Sequence, residues 1–471
     1  MLRSNKCITH GITGAVTLDG STKYSISKNK ELINFLTNQN FYESEEDSKT
    51  RERALGRLDF LLKHFIKQQM KIKGETKNIN GRIQTFGSYR LGVHNKGADI
   101  DTLCIVPKQI TRKEFFVDFY KMLEDDEDVS DLSKAEDAYV PVIKMKFFNI
   151  PIDLTMARIN LPNIDNKVDL LNDRMLKNMN EKCILSLNGA RVTDKMLELV
   201  PNTETFHNAL RVIKFWAKKR YCYGNAYGYF GGVAYSISVA RICQMYPNYC
   251  AYDIVCKYFE VYAQWEWPQP VILTEIVDPH YNLKVWDSEK NPSDRLHKMP
   301  IITPAYPSMC STHNVSQSTF NVILREFQRC VDIIKEVNSF EDFKTIFENT
   351  DFFKRFKVFI KVTLNAEEPN LKTWLGYGES KIRILAGKIE LAENVTLSVP
   401  FPKMFEKENT AVFFIGVEHV RVNKNNKKLY LDAQIKEFLT QINSWNNKTL
   451  DMKIKVEAQT KKEVNQFISD F

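Results

Sequence analysis

Two aspartates separated by a single residue, Asp99 and Asp101, are the first candidates for chemistry in this chain of 471 residues. Side chains alternate along a β-strand, so both carboxylates are expected on one face and Ile100 on the other. A divalent cation such as Mg²⁺ or Mn²⁺, which prefers oxygen ligands, relieves the repulsion between them. Taken alone, such a pair more often marks a strand edge with two solvated acids.

The residues upstream of the pair change that interpretation. Gly87 and Ser88 precede Asp99, and Ser88 is eleven positions before it. A glycine lets backbone amides approach a phosphate, and a serine hydroxyl can add a hydrogen bond. A helix that begins here would favour the same anion at its N-terminus. A Gly-Ser pair followed at this spacing by Asp-x-Asp on a strand indicates a site for a phosphate and a metal ion.

A third acid, Asp153, lies in the apolar segment Ile150–Leu154. An acid in a mostly buried strand needs a partner, and a metal ion shared with Asp99 and Asp101 would supply one. Three carboxylates can hold two ions, one for the attacking hydroxyl and one for the leaving pyrophosphate. We expect Asp99 and Asp101 to bridge both ions. Asp153 should serve mainly the ion that activates the hydroxyl.

Basic side chains farther along the chain could complete a nucleotide site. Arg211, Lys214 and Lys218 recur at helical spacing on one side of a predicted helix, where they could hold a triphosphate. A solvated basic face explains them equally well. Gly231 and Gly232, which open the next helix, allow close backbone approach to a ligand or simply tight helix packing.

Three regions must position these residues, a number that agrees with about 150 residues per domain. Residues 46–161 alternate helices and strands and form the predicted catalytic domain, in which 124–133 is expected to be an acidic loop and 140–159 a strand. Residues 1–45 and 162–337 are expected to form a helical central domain. Residues 338–471 alternate strands and helices and predict a small α/β sandwich. The fold class is therefore multidomain α+β.

Composition narrows the class of protein. The net charge is +8, of which the residues from Asp351 onward supply +5, and this is compatible with a polyanionic partner. None of the nine cysteines forms a Cys-x-x-Cys pair, which argues against zinc ribbons and thioredoxin-like chemistry. Scattered thiols suggest a reducing compartment. We expect no membrane span and no secretory signal, because no apolar run is long enough.

A series of longer motifs surrounds these residues. They are Phe86-Gly-Ser-Tyr-Arg-Leu-Gly-Val-His94, Lys96-Gly-Ala-Asp-Ile-Asp101, Ser186-Leu-Asn-Gly189 with Arg191-Val-Thr-Asp194, Ile213-Lys-Phe-Trp-Ala-Lys218, Gly231-Gly-Val233, Trp265-Glu-Trp-Pro268, Asn291-Pro-Ser-Asp-Arg295 and Met299-Pro-Ile-Ile-Thr-Pro-Ala-Tyr-Pro307. In this order they resemble the eukaryotic nuclear poly(A) polymerases, members of the DNA polymerase β-like nucleotidyltransferase superfamily. The resemblance begins at Gly11-Ile-Thr13 and covers nearly the whole chain.

The resemblance implies a palm-like nucleotidyltransferase domain, a helical central domain and a C-terminal RNA-binding domain resembling an RNA recognition motif. It implies that ATP donates AMP to an RNA 3′ hydroxyl without a template, and that two Mg²⁺ or Mn²⁺ ions assist. Asp99, Asp101 and Asp153 are the implied catalytic residues and metal ligands. Those three acids share the implied ATP site with Phe86, Gly87, Ser88, Asn95, Ile100, Asn188, Lys214, Lys218, Tyr223, Asn225, Gly232, Val233 and Thr303.

Some features depart from the family pattern or leave questions open. Asn95 stands where relatives usually have threonine, and Gly224–Gly228 replaces a more aliphatic segment beside the adenine. A ribonucleoprotein signature is absent, so we expect the C-terminal domain to contact RNA phosphates rather than stack bases. A nuclear location rests on family analogy, because the basic clusters Lys424–Lys428 and Lys461-Lys462 are not convincing signals and leave the cytoplasm open.

The resemblance also suggests cleavage and polyadenylation factors as partners, and we expect a monomer. Two alternatives remain at this point. One is a sibling transferase that adds uridine or CCA, which a preference for UTP or CTP would identify. The other is an inactive RNA-binding scaffold, against which the presence of all three acids argues.

Overall fold

The computed structural model describes residues 11–39, 41–420 and 429–470, so Cys7 and the basic cluster Lys424–Lys428 lie outside the described residues. The helices are α1 (Lys23–Asn38), α2 (Glu45–Ile72), α3 (Gly87–Arg90), α4 (Arg112–Glu114), α5 (Tyr120–Glu124), α6 (Glu181–Leu199), α7 (Thr203–Lys219), α8 (Gly232–Met245), α9 (Ala251–Ala263), α10 (Pro292–Arg295), α11 (Gln317–Glu336), α12 (Phe340–Lys344), α13 (Phe352–Arg355), α14 (Leu371–Glu390), α15 (Asp432–Asn443) and α16 (Lys461–Asp470). The strands are β1 (Arg82–Thr85), β2 (Ile100–Val106), β3 (Val129–Ala135), β4 (Val142–Phe147), β5 (Ile150–Arg158), β6 (Val358–Asn365), β7 (Val395–Pro400), β8 (Phe405–Lys407), β9 (Thr410–His419) and β10 (Lys453–Thr460).

The first sheet has five strands in the order β1-β2-β5-β4-β3, and only β2 and β5 run parallel among its described pairs. The apolar stripe of α2 covers one face and α6 covers the other. Ile100 belongs to the α2 face, whereas Leu103 and Ile105 belong to the α6 face. Because side chains alternate, Asp101 lies on the α6 face, at the end where β2 begins.

Two segments of this sheet differ from the sequence-based expectation. The prediction of an acidic loop at 124–133 was wrong in its second half, where β3 begins and pairs antiparallel with β4. As an edge strand it leaves most of its side chains in solvent, which is why its composition resembles that of a loop. The predicted strand at 140–159 is two strands, joined by a turn at Phe148 and Asn149 with φ of 49° and 63°.

The middle of the chain is helical, as predicted. On α7 the apolar stripe of Phe206, Leu210, Ile213 and Ala217 is completely buried. Helix α1 packs against α9, so the segment before α2 joins this helical layer. Trp216 lies at its centre, in contact with aromatic rings of α9 and α11. Within the described part of the chain, no helix combines the length and apolar character that crossing a bilayer requires.

The main C-terminal elements follow the order β6-α14-β7-β9-α15-β10, with sheet order β10-β6-β9-β7, and the short β8 pairs with β9 outside this order. This connectivity is that of an RNA recognition motif, so the predicted α+β fold class is confirmed. Helix α14 packs on one face, where Gly378 meets Leu364. On the opposite face Phe467 of α16 packs against Phe414, and Lys361 lies 4.4 Å from the Phe467 ring. That face is therefore covered, which leaves little room there for stacked bases.

The C-terminal domain is attached to the helical layer through the start of α11. The carboxylate of Glu390 accepts hydrogen bonds from the Ser316 hydroxyl (3.0 Å) and from the Gln317 (3.3 Å) and Ser318 (2.8 Å) amides. An anion at a helix N-terminus pairs with unsatisfied amides and with the helix dipole.

Removing this contact should lower the stability of the protein. We expect Glu390→Ala to reduce the free energy of unfolding by about 1 to 2 kcal/mol, because several charge-assisted hydrogen bonds are lost at once. Chemical denaturation followed by circular dichroism measures this change. Glu393→Ala, at an exposed position nearby, is the control and should change little. Equal stability of the two variants would contradict the proposed anchoring role.

Candidate nucleotidyl-transfer site

The three predicted acids lie in one row at the end of the first sheet. Asp101 on β2 and Asp153 on β5 are direct partners in the parallel register, and Asp99 immediately precedes β2. The turn after β1 approaches this row closely: a Cβ on Gly87 would come within 2.1 Å of an Asp101 carboxylate oxygen. Gly87 also has a φ of +62°, which side-chain-bearing residues rarely adopt. Glycine is therefore required at this position by both space and backbone conformation.

The electrostatics of the row favour a cation. Burial, together with the negative charges of Asp99 and Asp153, raises the pKa of Asp101 to about 7 against the opposing effect of Lys144. A pKa this high means that the negative charge of the Asp101 carboxylate is not fully stabilised by its surroundings. The row is thus a place where added positive charge would be stabilised.

This pKa shift predicts how the stability of the metal-free protein depends on pH. The Asp101 pKa rises from 3.8 to about 7 on folding, so the folded chain binds the proton more tightly than the unfolded chain. The resulting stabilisation is complete below about pH 4 and is lost as pH rises through about 7, at up to about 1.4 kcal/mol per pH unit. Denaturation in a chelating buffer, compared between wild type and Asp101→Asn, isolates this contribution. Parallel pH profiles would contradict it.

Asp153 has a partner of its own. Its carboxylate accepts a short hydrogen bond from the Lys144 ammonium on the neighbouring strand β4. Across the described ranges, no three His, Cys, Asp or Glu side chains are arranged as a ready-made metal site. The three acids are therefore adjacent but do not form a closed ligand set in this conformation, and Asp153 would have to exchange Lys144 for a metal ion.

A cavity of about 530 Å³ opens beside the acid row, between the first sheet and the helical layer. Ten of the predicted residues line it: Gly87, Ser88, Asn95, Asp99, Asp101, Lys214, Lys218, Tyr223, Gly232 and Val233. We call this cavity the nucleotide pocket. Acids lie on its sheet side and cations on its helical side, an arrangement suited to a metal-bound polyphosphate.

The cationic wall comes from α7. Burial, together with the positive charges of Lys218 and Arg211, lowers the pKa of Lys214 to about 8 against the opposing effect of Asp99. Arg211 does not line the pocket; its guanidinium donates to the Gly92 carbonyl and lies 4.7 Å from the Tyr42 ring. Of the predicted basic trio, Arg211 thus supports the loop beside the pocket, and the two lysines face the cavity.

Tyr223 and Gly232 form the adjoining wall. The Tyr223 ring stacks on Tyr235, and the Lys218 ammonium lies 5.3 Å from the Tyr223 ring centre. Burial raises the pKa of Tyr223, so its hydroxyl remains a hydrogen-bond donor at neutral pH. A Cβ on Gly232 would lie 3.1 Å from that hydroxyl oxygen. The absence of a side chain at Gly232 thus keeps the phenol accessible at the start of α8.

Six predicted residues do not line the nucleotide pocket. Ile100 is fully buried in the α2-side core, so only its backbone could meet a ligand. Phe86 packs against Gly189, where a Cβ would come within 2.7 Å of its ring. Asp153 is paired with Lys144, as described above. The remaining three are Asn188, Asn225 and Thr303.

These three polar residues nevertheless retain capacity for a ligand. The side-chain carbonyl oxygens of Asn188 and Asn225 are buried without a hydrogen-bond partner among the described residues. The Thr303 hydroxyl accepts from the Met309 amide (2.9 Å), which leaves its own proton free to donate. Buried polar atoms are usually paired, so two such oxygens suggest contacts to a bound molecule.

Several residues that line the pocket were not predicted. They are Leu91, Val93, His94, Lys96, Gly97, Ala98, Thr193, Met196 and Ser236. Most belong to the loop before Asp99, whose motif was recognised although its side chains were not assigned roles. Glu43, before α2, supports this loop: its carboxylate contacts His94 Nε2 (3.0 Å) and accepts from Arg51 Nε (2.5 Å). Glu43 and His94 are 51 positions apart, so a local sequence pattern could not predict their contact.

The chain matches three family models in succession. They are described as the poly(A) polymerase nucleotidyltransferase domain (residues 11–200), the poly(A) polymerase central domain (205–349) and the poly(A) polymerase predicted RNA binding domain (351–412). A solved structure of the Cid1 poly(U) polymerase with Mg and 3′-dATP bound has a TM-score of 0.48 and 16% identity, over 69% of this chain and 99% of that chain.

Two curated relatives are similar over most of the chain. Poly(A) polymerase pla1 of Schizosaccharomyces pombe is 44% identical over 404 residues, which is 84% of this chain and 71% of that protein. Poly(A) polymerase PAPa of Candida albicans is 42% identical over 406 residues, or 84% of this chain and 73% of that protein. Together with the family models, these similarities show that the chain belongs to the poly(A) polymerase family.

Proposed function

We propose that this chain transfers AMP from ATP to the 3′ hydroxyl of RNA without a template and releases pyrophosphate. The observation that carries this proposal is the acid row at the edge of a cation-walled pocket, in a member of the poly(A) polymerase family. Nucleotidyl transfer depends mainly on positioning and charge stabilisation, and this pocket supplies both.

The acid row fits hard divalent cations. We propose that Asp99, Asp101 and Asp153 bind two ions, Mg²⁺ or Mn²⁺, through carboxylate oxygens, and the raised pKa of Asp101 supports an affinity for added positive charge. Such ions, when bound, favour deprotonation of the attacking hydroxyl and neutralise charge on the leaving pyrophosphate. Asp153 joins the ligand set by releasing Lys144.

The triphosphate lies between the Gly87-Ser88 turn and α7 in this proposal. Lys214 and Lys218 neutralise its charge, and the Tyr223 hydroxyl donates a hydrogen bond to it. Ser88 and the backbone of Gly87 hold the opposite side, next to Asp101. Each of these residues lines the same cavity, so they can contact one ligand together.

The sugar and base extend toward the helical layer. Val233 and Gly232 provide an apolar wall, and Asn95 a polar contact from the loop. The unpaired oxygens of Asn188 and Asn225 are suited to donors such as the adenine amino group, with Thr303 as a further polar contact. Phe86 supports Asn188 indirectly by packing on the neighbouring Gly189.

The acceptor is the 3′ end of an RNA, which the C-terminal domain helps to hold. The covered sheet face of that domain and its excess of lysine favour contacts to phosphates over stacking of bases. By analogy with the family, we propose that the chain acts in the nucleus, in mRNA 3′-end polyadenylation. It would act there as a monomer, together with cleavage and polyadenylation factors.

The choice of nucleotide tests this function most directly. Purified protein should extend an oligo(A) primer with labelled ATP in Mg²⁺ or Mn²⁺, with a preference of at least about tenfold in kcat/KM over UTP, CTP and GTP. Products resolved on a denaturing gel measure it. A preference for UTP or CTP would replace the proposal with a uridine- or CCA-adding activity. Tight RNA binding without extension under either metal would indicate a scaffold.

A further inference from the structure

A second cavity of about 560 Å³ is lined in part by the start of α6 and shares no lining residue with the nucleotide pocket. Tyr139 of the first domain and Leu185 of α6 form one side. The other side comes from the irregular segment after α9 and includes Trp286, His297 and Cys310. We call this space the second cavity. Most of its walls are apolar, as is typical of sites that enclose a flat organic group.

The two histidines of this cavity have defined hydrogen-bonding roles. The Trp286 indole N–H, which can only donate, points to His297 Nδ1 at 3.0 Å. Neutral His297 therefore carries its proton on Nε2 and offers a donor there. His313 Nδ1 lies 3.2 Å from the Cys310 carbonyl, which can only accept, so His313 Nε2 offers an acceptor. In their neutral forms the two imidazoles that line the cavity thus offer one donor and one acceptor.

The chemistry of these groups argues against a metal site. Burial lowers the pKa of His297, and His313 and Lys284 lower it further against Asp294, so the ring is neutral at pH 7. In the tautomer that accepts from Trp286, its unengaged nitrogen carries the proton and has no lone pair for a cation. Burial also raises the pKa of the Cys310 thiol, which keeps it from becoming a thiolate ligand.

The position of the second cavity connects it to the nucleotide pocket. Glu181 and Leu185 line the cavity, and Asn188 lies one turn farther along the same side of α6. With a rise of about 1.5 Å per residue, Asn188 is only about 5 Å along the helix axis from Leu185. Met309 also lines the cavity, and its amide donates to Thr303. Asn188 and Thr303, which are both proposed to contact the incoming nucleotide, thus adjoin the second cavity.

From this arrangement we propose that the second cavity binds one nucleobase of the RNA close to its 3′ end, with His297 and His313 pairing with the base edge and Trp286 contributing to the apolar wall. The inference rests on the proposed function, because it takes RNA to be the acceptor. The Watson–Crick edge of each of the four bases presents a donor beside an acceptor, so this pair can hold any of them. Apolar walls and aromatic rings are the usual environment of unstacked RNA bases.

A binding experiment without ATP separates this inference from the activity. Oligo(A) primers that carry one abasic residue, at each of the last four positions in turn, are titrated into wild type, His313→Ala and His280→Ala. His280 is an exposed histidine of the same segment that does not line the cavity, so it is the matched control. Fluorescence anisotropy of the labelled primer gives Kd.

One abasic position should weaken binding to wild type about fivefold, the factor expected for a hydrogen-bonded base contact. His313→Ala should weaken the binding of intact oligo(A) by a similar factor. An abasic residue at that same position should then cause no further loss of affinity in this variant. His280→Ala should behave like wild type. The inference is overturned if His313→Ala binds the intact primer as tightly as wild type does. It is also overturned if the loss of affinity caused by His313→Ala adds in full to the loss caused by an abasic residue at each of the four positions.

A second measurement guards against misfolding of the variant. In wild type, saturating oligo(A) should slow alkylation of Cys310 about fivefold or more, read by mass spectrometry of the Cys310 peptide, and the critical abasic primer should not. Equal protection by both primers would also overturn the inference. If wild type binds as expected but fails to extend primers with ATP, the proposed function fails while the RNA-binding cavity stands.

Discussion

Asp101→Asn should reduce AMP transfer by about 10³-fold or more while leaving the fold intact. Asparagine keeps the size of the side chain but removes the charge on which a shared cation depends, and interactions of this kind carry a large part of catalysis in such sites. Initial rates of primer extension at saturating ATP and RNA measure the loss. Because Asp101 is the acid with the raised pKa, the substitution should also stabilise the metal-free protein above about pH 7.

Loss of activity together with gain of stability distinguishes this residue from a structural acid. Asp125→Asn, at an exposed position after α5, is the control and should retain full activity and ordinary stability. If Asp101→Asn kept more than about a tenth of wild-type activity, the acid row would not be the catalytic centre. If it lost both activity and stability, the electrostatic account of the row would be wrong.

Lys214→Gln should lower kcat/KM for ATP by about 100-fold, because it removes a partly buried cation from the phosphate side of the nucleotide pocket. Its KM for RNA should change little. The size of the effect follows from burial: in a site shielded from water, a charge contributes more than it would at the surface. Steady-state kinetics with ATP varied at fixed RNA, and the reverse, separate the two substrates.

The pH dependence adds a second readout for Lys214. With a pKa of about 8 in the folded protein, the ammonium loses its proton as pH rises through that value, so KM for ATP should rise in alkaline buffer. Lys214→Arg keeps its positive charge in alkaline buffer, so its KM for ATP should rise less with pH than that of wild type. This should hold even if the variant has a lower maximal rate. Lys219→Gln is the matched control, because Lys219 lies over the Phe215 ring, outside the pocket. Identical pH profiles for wild type and Lys214→Arg would contradict the assignment.

Local patterns were sufficient for much of the fold. The alternation of β2 side chains between the two faces of the sheet and the apolar stripe of α7 follow from strand and helix periodicity, which depends only on neighbouring residues. The edge strand β3 was missed for a physical reason. Its pairing with β4 comes from the sheet, whereas its largely polar and solvent-exposed side chains carry no local signal of a strand.

For the site, the sequence by itself determined the types of chemistry. It placed Asp99 and Asp101 at the same end of a strand and identified Gly87-Ser88 as their neighbour. It also provided the motifs that identify the family. These are properties of short segments, in which spacing along the chain dictates spacing in space.

Only the tertiary structure decided how those segments meet. It paired Asp153 with Lys144, left Arg211 outside the nucleotide pocket and brought Lys214 within electrostatic reach of Asp99. The contacts of Arg211 and Lys214 join residues more than 100 positions apart. They depend on the packing of α6 against the first sheet and of α7 against the loop after α3. Packing is a sum of many weak contacts across the whole core, so no single motif can encode it.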